Sequence, residues 1–387
     1  MKYVTNFASV LVLFFIFTGT AEARLPQRGK RSSGKSDIQA PSYGSPMASN
    51  LPEGIKMIEI DKAMVDNSGN LSESSLPQLL AKAQAYLPPN SFLNNSCINA
   101  KKIGAAGSFN TVQLFKVTST CIPGKTSQYI VKEARDGERE ALSLQAIEKY
   151  PKMKELMAPG APPANLPSIA LPVGYLAYND GNINHILTVM PLAQGKVLCE
   201  TITEFSKNQS DTNKENLKKA YKVLGTQMSH MYKRFMDQVP GSALGKSIPH
   251  GDFHCFNIFY DANAAGHLTL IDNETMADAL TNKSVPADDI LKLFLGLFST
   301  SEPAERKDVI KGVDLKLWHE LALASYIEGF LSAYAAAEQK QALADLQKIF
   351  NSDLKPSWMN IDAAMLKELR SKYINPVFES AALKLKS

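Results

Sequence analysis

The chain has 387 residues, enough for one large domain or for two lobes that share a cleft. Hydrophobic residues make up 44% of the sequence and charged residues 21%, as in folded soluble proteins generally. The net charge of +4 is too small to indicate a nucleic-acid partner, so none is expected. No periodic self-similarity indicates a repeat protein.

The first 23 residues have the layout of a secretory signal peptide. Lys2 supplies a positive charge, residues 7–17 are almost wholly apolar, and Ala21-Glu22-Ala23 is a small-x-small cleavage sequence. An uncleaved membrane anchor is the alternative, but the apolar run is short against the ~20 residues that span a bilayer. We therefore predict cleavage after Ala23, a secreted or extracytoplasmic protein, and no stable membrane insertion after cleavage.

Residues 24–54 are rich in Ser, Gly, Pro and basic residues and carry few apolar side chains. This composition predicts a disordered linker. Folded structure is expected to begin between residues 55 and 75. Apolar residues at helical spacing then predict a helix over 74–87, which Pro88-Pro89 ends.

The patterns that follow change from strands to helices along the chain. Alternating or apolar runs predict strands at 99–103, 111–118, 128–132 and 184–190. A helix is predicted among them at 137–149. Beyond residue 200, strands are predicted at 257–260 and 267–272, and helices at 211–236, 286–299, 314–337, 339–350 and 359–385. We therefore predict an α+β protein with a β-rich N-lobe over 55–190, a mainly helical C-lobe over 191–387, and a cleft between them.

The sequence that indicates a chemical function most clearly runs from His250 to Asn257 and continues at Asp272. An Asp at position 252, an Asn five residues later, and a second Asp that ends an apolar strand can converge on one point. Phosphoryl transfer needs this set, because one carboxylate orients the accepting hydroxyl while an amide oxygen and a carboxylate hold Mg²⁺ against the ATP phosphates. The alternative is an acidic loop without catalytic meaning, which the glycine at 251 and the strand-like flanks disfavour.

The pattern His-x-Asp-x-x-x-x-Asn followed by Ile-Asp resembles the catalytic loop of aminoglycoside phosphotransferases and choline kinases, which resemble protein kinases in fold. The resemblance covers residues 97–300. It implies a bilobal kinase-like fold and an ATP- and Mg²⁺-dependent phosphotransferase. It also implies these roles: Asp252 as catalytic base, Asn257 and Asp272 as metal ligands, Glu274 as an additional acidic residue at the metal, and His250 and His254 as structural residues. The loop reads His-Gly-Asp rather than His-Arg-Asp, so a phosphorylated activation loop would find no arginine there.

Upstream segments resemble the phosphate-binding parts of the same superfamily. A glycine-containing turn between two predicted strands resembles a loop that covers the phosphates, with these candidate contacts: Gly104, Gly107 and Ser108. Lys132 ends the apolar sequence Ile-Val-Lys and resembles the lysine that binds ATP phosphates. The resemblance calls for an acidic partner on the next helix, for which Glu140 is the first choice and Glu138 the second. An ordinary turn and a solvated surface lysine are the alternatives.

Two further positions follow from the resemblance. Val189 and Met190 lie in a segment that resembles the hinge between lobes, whose backbone binds adenine. Asp288 and Asp289 open an apolar helix, and Asp289 resembles the buried Asp that braces the catalytic loop. A plain helix N-cap explains the same two acidic residues equally well.

Taken together, these features predict a kinase that transfers the ATP γ-phosphate to a hydroxyl of a small molecule or of a protein. The resemblance favours a small-molecule alcohol or sugar, whereas export favours a protein side chain. Because extracytoplasmic fluid holds little ATP, we expect the protein to act inside a host cell as a secreted effector, or in the ATP-supplied lumen of a secretory pathway. The alternative is a pseudokinase that only binds a partner, which the presence of lysine, base and metal residues disfavours.

The four cysteines show neither CxxC nor zinc spacing. Cys97 precedes one predicted strand and Cys121 follows the next, so antiparallel pairing would bring both to the same end of a hairpin. A disulfide requires a Cα separation of ~4.4–6.8 Å. Symmetric pairing about Ala106-Gly107 would set Cys97 nearer Val117, so the chain would have to curl back slightly for the disulfide to form. Cys255, in the catalytic loop, is expected to stay a free thiol.

Overall fold

The computed structural model describes residues 51–103, 111–155, 165–239, 242–263, 266–281, 286–299, 308–352 and 359–386. These residues form a mixed α+β structure, which confirms the predicted class. The predicted signal peptide and most of the predicted linker lie outside them. Within the described ranges, no helix is long and apolar enough to cross a membrane.

The strands and helices follow one another along the chain with these bounds. The strands are β1 (Ile55–Met57), β2 (Ile98–Lys102), β3 (Thr111–Ser119), β4 (Ser127–Ala134), β5 (Ser168–Ile169), β6 (Gly174–Asn179), β7 (Asn184–Pro191), β8 (Lys196–Val197), β9 (Asp237–Val239), β10 (Ser242–Lys246), β11 (Ile258–Asp261) and β12 (His267–Leu270). The helices are α1 (Ser75–Lys82), α2 (Gly137–Lys149), α3 (Leu198–Lys207), α4 (Asp211–Arg234), α5 (Met276–Thr281), α6 (Ala287–Leu295), α7 (Leu315–Trp318), α8 (Ala324–Ser332), α9 (Ala336–Asn351), α10 (Ala363–Glu368) and α11 (Asn375–Lys384).

A six-stranded sheet forms from the first part of the described chain. Its strand order is β1-β6-β7-β4-β3-β2, and neighbouring strands are antiparallel except for the parallel pair β1 and β6. Alternate residues of β6 show how both faces are covered, because successive side chains of a strand point to opposite faces. Leu176 and Tyr178 belong to the apolar cluster that includes α1, whereas Tyr175 and Ala177 belong to the cluster that includes α2.

Helices of the second part of the described chain pack around a four-stranded sheet of order β5-β12-β11-β8, to which the first part contributes β5. Helices α4 and α8 approach closely because Gly225 and Gly329 lie between them. A Cβ on Gly225 would collide with the carbonyl oxygen of Tyr326, and one on Gly329 with that of Lys222. A continuous apolar core fills this part, with these large side chains fully buried: Trp318, Tyr221, Phe294 and Phe330.

The predicted disulfide between Cys97 and Cys121 is present, with the two Cα atoms 4.9 Å apart. The register of β2 and β3 explains why it forms. Ile98 lies opposite Ser119, and Ala100 opposite Val117, so the chain brings Cys97 next to Cys121 without the curl that pairing about Ala106-Gly107 would require. Cys199 and Cys255 are buried free thiols, as predicted for Cys255.

The predicted helix bounds are correct where one apolar stripe runs along the whole helix. They are wrong where a π-helical segment or an extended residue interrupts it. Helix α2 has the predicted bounds. The prediction of one helix over 314–337 is wrong, because a π-helical segment at His319–Leu323 separates α7 from α8, and the backbone is extended at Ala335 before α9 begins. Alanine is the strongest helix former, so the alanines around this position gave no sign of the break. A second π-helical segment, Leu369–Ile374, likewise separates α10 from α11.

Candidate active site

A loop at residues 250–257, between β10 and β11, carries the predicted catalytic residues. Asp289 of α6 is fully buried beneath it. Its carboxylate accepts the backbone N–H groups of His250 at 2.7 Å and Gly251 at 2.8 Å, and the Tyr232 hydroxyl at 3.0 Å. Burial raises the pKa of Asp289, and these three donors together with the nearby His250 offset part of that effect. The carboxylate thus braces the loop, and it is not the N-cap, a position occupied by Pro286.

His250 connects the loop to the end of β12. Its ring is fully buried, and Nε2 lies 2.9 Å from the carbonyl oxygen of Ile271. The Thr275 hydroxyl donates to the His250 carbonyl oxygen. The next residue, Gly251, has φ +86°, a conformation that favours glycine. His250 therefore has the structural position that the resemblance implies.

The carboxylate of Asp252 is surrounded by hydrogen-bond donors. Lys292 Nζ lies 2.5 Å from Oδ1, and Asn257 Nδ2 and His254 Nε2 lie 3.2 and 3.3 Å from Oδ2. Burial alone would raise the pKa of Asp252. The hydrogen bond and charge of His254 and the charge of Lys292 outweigh burial and hold this pKa well below its ordinary value. Asp252 is therefore ionised at physiological pH.

The β11–β12 hairpin brings Asn257 and Asp272 together. Ile258 pairs with Leu270, and the Ile271 N–H donates to the Asn257 carbonyl oxygen at 3.0 Å. The predicted strand over 267–272 ends at Leu270. Asp272 instead adopts the left-handed conformation, with φ 56° and ψ 50°, which is uncommon for a residue other than glycine. Because of this turn, the backbone at Asp272 does not continue the direction of strand β12.

Lys132 joins the six-stranded sheet to the hairpin that carries Asp272. Its side chain projects from β4, and Nζ lies 2.8 Å from Asp272 Oδ1 and 3.1 Å from Glu140 Oε2. Burial lowers the pKa of Lys132, but the charges of Asp272, Glu140 and Glu274 raise it above its ordinary value overall. The lysine is therefore a buried, charged group rather than a solvated one, and its helix partner is Glu140, the first of the two predicted choices.

Negative charge exceeds positive charge around Lys132. The pKa of Glu140 is raised to about 7, because burial and the charge of Glu274 raise it and Lys132 offsets only part of their effect. Burial also raises the pKa of Glu274, and the charges of Asp272 and Asp252 contribute in the same direction. The carboxylates of the loop and of the lysine cluster thus disfavour one another's ionisation.

The donor set fits a hard divalent cation. Asp272 and Glu274 supply carboxylate oxygens, and Asn257 donates from Nδ2 to Asp252, which leaves its amide oxygen on the opposite side. Mg²⁺ binds through one or two carboxylates plus phosphates and water. In the described ranges no group of three or more His, Cys, Asp or Glu residues is placed to hold a metal ion. The protein would supply part of the coordination, and phosphate and water the rest.

The other predicted nucleotide contacts divide into two groups. Gly104, Gly107 and Ser108 lie outside the described residues. Val189 lies within β7, fully buried, with its carbonyl oxygen accepting the Val173 N–H at 2.7 Å. Met190 is partly exposed near the end of the same strand. Of the two predicted hinge residues, Met190 is the more accessible.

Sequence reasoning missed Lys292. Lys292 follows Asp289 by three residues in Asp-Asp-Ile-Leu-Lys, a lysine inside an otherwise apolar helix. That placement is a signal of a buried, paired charge. Asn273 also proves structural, because it is 1% exposed and donates to the carbonyl oxygens of Ala170 and Leu270.

No protein-family model matches the chain, and no curated protein matches it. The functional conclusion therefore depends on the geometry of the site.

Proposed function

We propose that the protein is an ATP- and Mg²⁺-dependent kinase that transfers phosphate to a hydroxyl group. One observation carries the proposal: Lys132 of the large sheet contacts both Glu140 of α2 and Asp272 of the β11–β12 hairpin. A lysine held by a helix carboxylate beside a metal-binding Asp is the arrangement that kinases require for phosphoryl transfer. The bilobal kinase-like fold belongs to the same proposal, with 55–190 as the N-lobe and 191–387 as the C-lobe.

Each residue then has a distinct task. An ammonium group has three donors, and Lys132 donates one to Asp272 Oδ1 while its Nζ lies 3.1 Å from Glu140 Oε2, so a donor is left to bind a phosphate oxygen. Asp272, Asn257 and Glu274 would hold Mg²⁺, which supplies positive charge against the β- and γ-phosphates. The proposed acceptor hydroxyl donates to Asp252.

The low pKa of Asp252 keeps its carboxylate ionised and able to accept a hydrogen bond from the acceptor hydroxyl. A carboxylate that weakly attracts protons orients the hydroxyl in the ground state and accepts its proton late. Such timing suits phosphoryl transfer, whose transition state is loose, with little bond formation to the attacking oxygen. In the balanced reaction the acceptor oxygen bonds to the γ-phosphorus, the bond to the β-phosphate oxygen breaks, ADP leaves, and the acceptor proton passes to Asp252 and then to solvent.

The Cys97–Cys121 disulfide supports export as part of the proposal, because disulfides persist mainly in oxidising compartments. With the signal-like sequence at residues 1–23, it favours a protein that leaves the cytoplasm of its producer. Because ATP is scarce outside cells, the proposed site of action is the interior of a host cell, as a secreted effector.

The test is transfer of label from γ-labelled ATP, with Mg²⁺, by residues 24–387 to small-molecule alcohols or to proteins of a lysate. We expect labelled product from the wild type and none from Lys132→Ala. Lys82→Ala is the matched control, because Lys82 is exposed and contacts only the Glu59 backbone in the described part of the chain. A wild-type chain that binds ATP but labels nothing, including water as acceptor, would instead support the pseudokinase alternative.

A further inference from the structure

Helix α6 holds the catalytic loop through two side chains that lie one turn apart, Asp289 and Lys292. Residues three positions apart are neighbours on a helix surface. Asp289 accepts the backbone N–H groups of His250 and Gly251, and Lys292 donates to the carboxylate of Asp252. One helix face therefore contacts three consecutive residues of the loop.

The ion pair is shielded on the lysine side and open on the carboxylate side. The Lys292 side chain is 11% exposed and that of Asp252 is 30% exposed. Breaking a pair with one buried partner leaves a poorly solvated charge, so the pair is held together strongly. Lys292 therefore restricts the orientation of the carboxylate while leaving part of it accessible to solvent.

The partners of Asp252 define where an acceptor can bind. A carboxylate offers about four acceptor positions. In the described ranges Lys292 uses one on Oδ1, whereas Asn257 and His254 both face Oδ2. The open position is thus on Oδ1, and a hydroxyl bound there would lie beside the Lys292 ammonium group.

We propose that Lys292 is a positioning residue for phosphoryl transfer, which directs Asp252 Oδ1 toward the acceptor hydroxyl from outside the catalytic loop. This inference rests on the proposed kinase activity. Because Lys292 acts through Asp252, its loss lowers kcat and leaves the affinity for ATP, which depends on Lys132 and the metal residues, unchanged.

The experiment compares Lys292→Met and Lys292→Arg in the mature chain, with kcat and KM for ATP measured under saturating Mg²⁺. We expect Lys292→Met to lower kcat about 10²-fold, the effect of a misplaced catalytic group. KM for ATP should change less than about twofold, and Lys292→Arg should recover part of kcat. Lys222→Met is the control, because Lys222 forms an exposed ion pair with Glu328 and should match the wild type.

If Lys292→Met fails to fold, a second comparison tests the proposed role of Lys292. The double variant Asp252→Asn/Lys292→Met removes both charges of this pair, and it should have the same residual kcat as Asp252→Asn if Lys292 acts only through Asp252. A slower double variant, or an active Lys292→Met with wild-type kcat, overturns the role of Lys292. An inactive wild-type chain overturns the proposed kinase activity itself.

Discussion

Replacing Asp289 should destabilise the protein far more than replacing its neighbour Asp288. Asp289→Ala removes the acceptor of two backbone N–H groups and one hydroxyl at a fully buried position. Hydrogen bonds to a charged group contribute about 1.5–3 kcal/mol each, but they are not additive. We expect a loss of about 3–5 kcal/mol in the free energy of unfolding.

Two further variants sharpen this expectation. Asp289→Asn keeps one oxygen but directs an amide N–H₂ at a backbone N–H. We therefore expect it to lower the free energy of unfolding by about 1–3 kcal/mol. Asp288 is exposed in the same first turn of α6, and Asp288→Ala removes only a helix-dipole interaction of about 1 kcal/mol or less.

Thermal melting measures the difference. At roughly 2 °C per kcal/mol for a chain of this size, Asp289→Ala should lower Tm by about 6–10 °C and Asp288→Ala by no more than about 2 °C. Equal shifts for the two alanine variants would refute the brace and favour a simple helix-end role for both residues.

Three other predictions follow from the site and the disulfide. Asp252→Ala should lower phosphoryl transfer by ~10²–10⁴-fold while ATP binding stays near wild type, and retention of more than about a tenth of the activity would remove Asp252 from the base role. In a Mg²⁺ titration, Asp272→Ala should weaken nucleotide binding and abolish transfer, with a smaller effect of Glu274→Ala; equal effects would mean that the principal ligand is misassigned. Replacing Cys97 and Cys121 by Ser should cost about 3 kcal/mol of stability under oxidising conditions, measured by denaturant unfolding, whereas reducing agent should remove the difference from wild type.

The site residues of the loop at 250–257 and of the hairpin after it could be predicted from sequence because they are close along the chain. Asn257 and Asp272 flank a two-stranded hairpin, so turn and strand patterns were enough to predict that they meet. The same local logic holds for the disulfide, whose cysteines flank the β2–β3 hairpin. The apolar periodicity of α2 likewise gave its bounds directly.

Other features of the fold could not be predicted from local sequence patterns. Short strands such as β1 and β5 carry too few residues for a visible alternation, and each exists because it pairs in parallel with a distant strand. The π-helical segments interrupt helices without any change in apolar composition. Their existence depends on the packing around them.

The sequence by itself determined the residue types of the site and the order in which they occur. Tertiary structure alone decided which charges meet: Lys132 contacts Asp272 across 140 residues, and Lys292 contacts Asp252 across 40. The physical reason is that a buried charge is stable only beside a partner, and the partner is selected by the packing of elements that are remote along the chain. A motif therefore names candidate groups, whereas burial and proximity determine their ionisation and their orientation.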